Sequence, residues 1–134
     1  MFCINADFLY IIRMKTTPSY TYNLLKTAGV LLLVDVFWLL TGGIYARNMT
    51  ERIQGQPIRA RFLSAGLVYL FLAYMLLQTT SAWQAFLYGV SIYAVYDFTS
   101  HAIYENYDWK FAVADTLWGG VLFVLTRHLL KNVF

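Results

Sequence analysis

Long apolar runs alternate with short polar connections along this chain of 134 residues. Four runs stand out, at about 23–45, 62–78, 85–104 and 111–130, each close to the roughly 20 residues a helix needs to cross hydrocarbon. The stretch from Gly29 to Leu40 is almost unbroken in its apolarity, whereas a membrane barrel strand would alternate apolar and polar positions in pieces of about ten residues. Soluble core helices are seldom this long and this apolar on every face. The pattern therefore predicts an all-α, integral membrane bundle of four transmembrane helices, whose backbones satisfy their own hydrogen bonds in lipid. One domain over 22–134 is expected, preceded by an N-terminal extension over 1–21.

The connections fit these limits. Tyr20 and Tyr22 precede the first run, Trp83 precedes the third, and Tyr104, Tyr107 and Trp109 lie between the third and fourth, where amphipathic rings settle at headgroup level. The longest polar connection, from Arg47 to Arg61, contains Gly55 and Pro57 as turn formers and is expected to lie on the membrane surface. Ahead of the bundle, Met1 to Ile12 contains Asp7 and lacks a leading basic residue and a small-residue cleavage pattern, so it does not read as a signal peptide. Met14 followed by Lys15 would also make an ordinary start. Cys3 is the single cysteine, which rules out an intramolecular disulfide and a cysteine-based zinc site.

Composition agrees with a lipid environment: 60% of residues are hydrophobic, 19% aromatic and only 13% charged. The net charge of +3 is spread over both ends of the bundle, which gives no footprint for nucleic acid. Arg13, Lys15, Lys26, Arg127 and Lys131 fall on the side of the termini, against Arg47, Arg52, Arg59, Arg61 and Lys110 on the other, so the positive-inside count is tied. Both termini are expected in the cytoplasm, with Glu51, Glu105 and Asp108 on the far side as the one asymmetry.

Candidate chemistry resides in three aspartates, Asp35, Asp97 and Asp115, one in each of the first, third and fourth runs. Carboxyls in hydrocarbon are costly and mark sites by default. Counted from the side of the long connection they lie roughly eight, seven and four residues deep, so their heights agree within about 6 Å and one pocket can hold all three. Tyr93, Asp97, Ser100, His101 and Tyr104 form a polar stripe on the third run at steps of three or four. Asp35 with Trp38, and Asp115 with Trp118 and Gly119, repeat one short spacing on helices that should run antiparallel, as in a weak inverted repeat.

Such residues admit several readings. Buried acids can simply bond neighbouring helices, although one would serve for that and each further one adds desolvation cost. A protonatable cluster can carry protons, hold a cation or supply a general acid. Asp97 and His101 share a helical face compatible with metal ligation, but a single histidine is a weak set, and no metal or other cofactor is expected. No two-histidine motif, phosphate-binding glycine loop or hydrolase triad stands out. Gly42, Gly43, Gly119 and Gly120 suit close helix approach.

The segments Val34-Asp35-Val36-Phe37-Trp38-Leu39, Val95-Tyr96-Asp97-Phe98-Thr99-Ser100 and Ala114-Asp115-Thr116-Leu117-Trp118-Gly119 together resemble the family of small membrane proteins grouped as domain of unknown function 2177 (DUF2177). The similarity covers about 22–130. That family carries Asp-x-x-Trp near the end of the first span, Tyr-Asp-x-Thr-Asn in the third and Asp-x-x-Trp-Gly in the fourth. The resemblance marks Asp35, Trp38, Tyr96, Asp97, Thr99, Asp115, Trp118 and Gly119. Ser100 stands where the family usually has Asn, and His101 where it usually has an apolar residue. The resemblance implies a four-span fold and a site, and no reaction.

The functional expectation is an intramembrane site for a small or amphipathic ligand, a lipid or a proton, anchored by the three aspartates and walled by Trp38 and Trp118. The partners expected are the lipid bilayer and such a ligand. A transport role would require a homo-oligomer. An intramembrane lipid-modifying enzyme, with an aspartate as general acid assisted by Tyr96 or His101, is the second class. A structural membrane subunit is the third.

Overall fold

The computed structural model describes residues 18–134 together with Ala6, Leu9, Ile12 and Arg13; the readings that fall on Cys3, Asp7, Met14 and Lys15 lie outside the described residues. Among the described residues the chain is all-α, with helices α1 (Pro18–Leu40), α2 (Gly42–Gln54), α3 (Phe62–Leu77), α4 (Ala82–Ile103) and α5 (Trp109–Asn132).

The first expected run is placed differently. Its helix already includes Pro18, ahead of the expected start. It stops at Leu40 instead of continuing to Tyr45. There Thr41 turns out of the helix at φ −114° and ψ −82°, its N–H closes a tighter bond to the Trp38 carbonyl at 3.1 Å, and its hydroxyl donates back to the Phe37 carbonyl at 2.9 Å. A back-bonded threonine followed by two glycines is a sequence made to break a helix. The chain resumes as α2, which turns much of the expected polar connection into helix and ends at Gly55, whose φ of +70° takes the left-handed cap that glycine adopts without a Cβ penalty.

Helix α2 is amphipathic. Ala46, Met49 and Ile53 share one face and pack over Trp38, Tyr107, Phe111 and Ala112, while Arg47, Asn48 and Arg52 are exposed. It thus covers one end of the bundle. The middle is held by Leu31, Leu72, Ala73, Leu76, Ala85, Leu122 and Phe123, contributed by α1, α3, α4 and α5.

The closest helix pair is α4 with α5. A Cβ added at Gly89 would lie 2.1 Å from the Gly119 carbonyl oxygen, and one at Gly119 would lie 2.4 Å from the Tyr93 ring, so two backbones meet where any side chain would part them. Helix α3 packs along α1, α1 also packs on α5, and α3 touches α4 sparsely. At the far end Arg127 of α5 donates to the Thr79 carbonyl at 2.9 Å and the Thr80 carbonyl at 2.8 Å. Its fork caps the carbonyls beyond the end of α3.

Outward faces are strongly apolar: Phe62 is 84% exposed and Leu63 81%, a surface that a water-soluble monomer rarely carries. Among the described residues two helices, α1 and α5, are long and apolar enough to cross a membrane. Helix α3 has 16 residues, about 24 Å at the helical rise, against a hydrocarbon core of about 30 Å. Helix α4 has the length, 22 residues, but its polar stripe dilutes its apolarity.

Candidate functional site

Three residues apart, Asp35 and Trp38 project from one face of α1, as Asp115 and Trp118 do from α5. The two helices run in opposite directions, for Lys26 near the start of α1 bonds the carbonyl of Phe134 and Tyr45 just past its end bonds Asp108 at the start of α5. The motifs therefore meet in reverse order, and each indole reaches the other helix's acid. Trp38 Nε1 donates to Asp115 Oδ1 at 2.6 Å, and Trp118 Nε1 donates to Asp35 Oδ1 at 2.7 Å. Between these bonds the indoles stack, centroids 5.4 Å apart and planes 12° from parallel. Phe111 extends the stack beyond Trp38, and Phe37 flanks Trp118.

The three carboxyls differ in how far their acceptors are filled. Asp35 has a donor on each oxygen: Trp118 on one, and on the other the Tyr69 hydroxyl of α3, which donates at 2.6 Å. Asp97 is fully buried. Its Oδ1 accepts from the Tyr107 hydroxyl at 2.7 Å, but its Oδ2 has no donor of good geometry among the described residues, and neither does the buried hydroxyl of Thr116. The Asp97 side chain lies within bonding reach of Asp115 and faces Thr116. Two carboxylates are both acceptors, so Asp97 and Asp115 can bond each other only through a proton or a donor placed between them. Among the described residues the donors to the three acids are indole N–H and phenol O–H groups.

Where α3 and α4 part, a cleft of about 370 Å³ opens on the side of the bundle, lined by Val68, Leu72, Ile92, Tyr93, Tyr96 and Asp115. Its walls are apolar and aromatic, with Asp115 the one ionisable carboxyl in the lining. Tyr93 is mostly buried beside Gly119, whose missing side chain makes room for its ring; Tyr96 is 66% exposed at the cleft. The structure brings Asp35, Trp38, Tyr93, Asp97, Asp115, Trp118 and Gly119 together. Tyr96 joins Tyr93 and Asp115 at the cleft, while Thr99, Ser100 and His101 are placed elsewhere. Ser100 is buried but donates to its own helix at the Tyr96 carbonyl, Thr99 is exposed, and the His101 ring sits 3.0 Å from the Tyr107 carbonyl, bracing the α4–α5 turn. Among the described residues no group of three His, Cys, Asp or Glu side chains is arranged to hold a metal.

Sequence reasoning missed Tyr69, Tyr107, Phe111 and Thr116. Tyr107 was expected in the headgroup belt, yet it is only 7% exposed and turns inward to Asp97. A tyrosine inside an apolar run, as Tyr69 is, was the available signal, because a buried hydroxyl needs an acceptor. At the α2 end of the bundle, Tyr45 donates to Asp108 Oδ2 at 2.5 Å, and the N-cap oxygen of Asp108 accepts from the Lys110 N–H; these two bonds, the first the larger, hold the Asp108 carboxyl below the usual range.

A family model described as a predicted membrane protein, DUF2177, matches residues 20–129. No curated protein and no solved structure matches the chain.

Proposed function

The chain belongs to the DUF2177 family of predicted membrane proteins, and from that premise we propose that it is a multi-pass bundle offering a lateral binding site to a small amphipathic molecule of the bilayer. In this reading α1, α3, α4 and α5 cross the membrane with both termini cytoplasmic, and α2 lies at the opposite surface. The apolar part of the ligand enters between α3 and α4, and its polar end meets Asp115, backed by Asp97. The single observation that carries this is the cleft itself: an apolar opening between α3 and α4 that ends on a carboxyl, the form ligand sites commonly take.

A structural reading is favoured for one residue. Both oxygens of Asp35 already accept from protein donors, Trp118 and Tyr69, and so it ties α1, α3 and α5 together. The Asp97 and Asp115 pair is the site, and Asp35 is its frame. The test is native mass spectrometry of the protein released from membranes. A bound amphiphile should accompany the wild type and be lost from Asp115→Asn, which keeps an oxygen for Trp38. An unliganded wild type, or an equally loaded variant, would overturn the proposal.

A further inference from the structure

We infer that the ligand's polar end is a protonated amine carried on an apolar tail; this rests on the lateral site proposed above and names its chemistry. Donors and acceptors around the acids do not balance. In the cluster of Asp97, Asp115 and Thr116, an aromatic donor reaches one oxygen of each acid, while Asp97 Oδ2, in a residue with no exposed surface, has none among the described residues. An ammonium group brings three N–H donors and no acceptor. A hydroxyl head brings one donor, and an anionic head would meet two carboxyls with no cation to offset them.

Among the described residues no hydrogen bond brings a cation to these acids: Lys26 is bonded to the Phe134 carbonyl, Arg127 to the turn after α3 and Arg47 to Glu51, all at the two ends of the bundle. A cation from outside would reach Asp115 through the cleft between α3 and α4. Its remaining lining suits such a guest. Val68, Leu72 and Ile92 accept an alkyl chain, and the Tyr93 and Tyr96 rings offer faces that attract a cation.

The experiment is a tryptophan-fluorescence titration of the full chain in phosphatidylcholine nanodiscs with dodecylamine, against dodecanol and with empty nanodiscs subtracted. Trp38 reports directly because it is bonded to Asp115. Dodecylamine should give a saturable change, weakened at least tenfold by Asp115→Asn and by Asp97→Asn, and unchanged by Glu105→Gln on the exposed α4–α5 turn. Dodecanol binding as tightly as the amine, or both Asp variants binding as wild type does, would overturn the inference while leaving an amphiphile site standing. Saturable binding of neither probe would overturn both. Should Asp115→Asn lose its native elution volume, Asp97→Asn decides alone, since its amide oxygen still accepts from Tyr107.

Discussion

The reciprocal bonding of the two Asp-x-x-Trp segments predicts a specific pattern of energetic coupling. Within each motif the acid and the indole are neighbours on one helix, so a reader of the sequence would pair Asp35 with Trp38 and Asp115 with Trp118. The structure pairs them across helices, Trp38 with Asp115 at 2.6 Å and Trp118 with Asp35 at 2.7 Å. Trp→Phe removes the N–H while keeping an aromatic ring in the stack, and Asp→Ala removes the acceptor. A hydrogen bond to a charged group contributes about 1.5–3 kcal/mol in soluble proteins, but bonds between membrane helices average nearer 0.6 kcal/mol with a maximum of about 1.7. Both bonds here are short and partly buried, so each cross-helix cycle should show a coupling of about 1–2 kcal/mol. The two within-motif cycles should be smaller, although the shared stack of Trp38 on Trp118 will keep them from zero. The assay is reversible unfolding in mixed micelles, followed by helicity, for the single and double variants. Larger coupling within the motifs than between them, or strict additivity in the cross-helix cycles, would refute the latch.

Gly89→Ala should destabilise the bundle by about 1–3 kcal/mol, or prevent folding, because the new methyl meets the Gly119 backbone and has no flexible side chain to push aside; Gly29→Ala, with nothing within 4 Å, should be neutral or stabilising in the same melt. Arg127→Ala should cost about 1.5–3 kcal/mol in the unfolding assay, and Arg127→Lys should recover little of it, because one ammonium cannot reproduce a fork that spans two carbonyls. The Asp108 carboxyl is held low in the folded state, first by Tyr45 and then by the Lys110 N–H. Its contribution is therefore present above the unfolded value near 4 and is lost as pH falls through the lower folded one. Tyr45→Phe should raise the Asp108 midpoint in an NMR titration toward that ordinary value, and an unmoved midpoint would remove Tyr45 as the cause.

The parts of this structure legible in sequence are those set by long apolar periodicity and by spacing on a single helix. Helices over most of the four runs, the inward turn of Asp35, Asp97 and Asp115, and the polar stripe of α4 follow from such patterns. What could not be read is what depends on two helices at once. Trp38 and Trp118 read as walls of a site shared by the three acids, and only the packing of α1 on α5 makes each a donor to the other helix's acid. Tyr107 sits in a turn, where an aromatic beside polar residues reads as interfacial; its inward direction is set by the fold of the chain between α4 and α5, which His101 braces from the other side. The break at Thr41 carried a local signal, Thr-Gly-Gly, but a uniform hydropathy run on both sides of it concealed that signal.

The two halves of the site differ in rigidity, and this bears on how a ligand would reach it. On one side α1, α4 and α5 are locked by stacked indoles, a glycine-lined helix contact and the Trp–Asp bonds. On the other, α3 is held to its neighbours by apolar packing along α1, by Tyr69 to Asp35 and by the Arg127 cap near its end, while its side toward α4 is where the cleft opens. In the proposed reading, widening the cleft would move α3 together with Tyr69. Because Tyr69 bonds Asp35 rather than the Asp97 and Asp115 pair, that motion need not disturb the carboxyls that the proposed ligand would meet. A polar floor held by cross-helix bonds beside a wall held mainly by apolar packing would admit such a guest from the side without dismantling its own anchor.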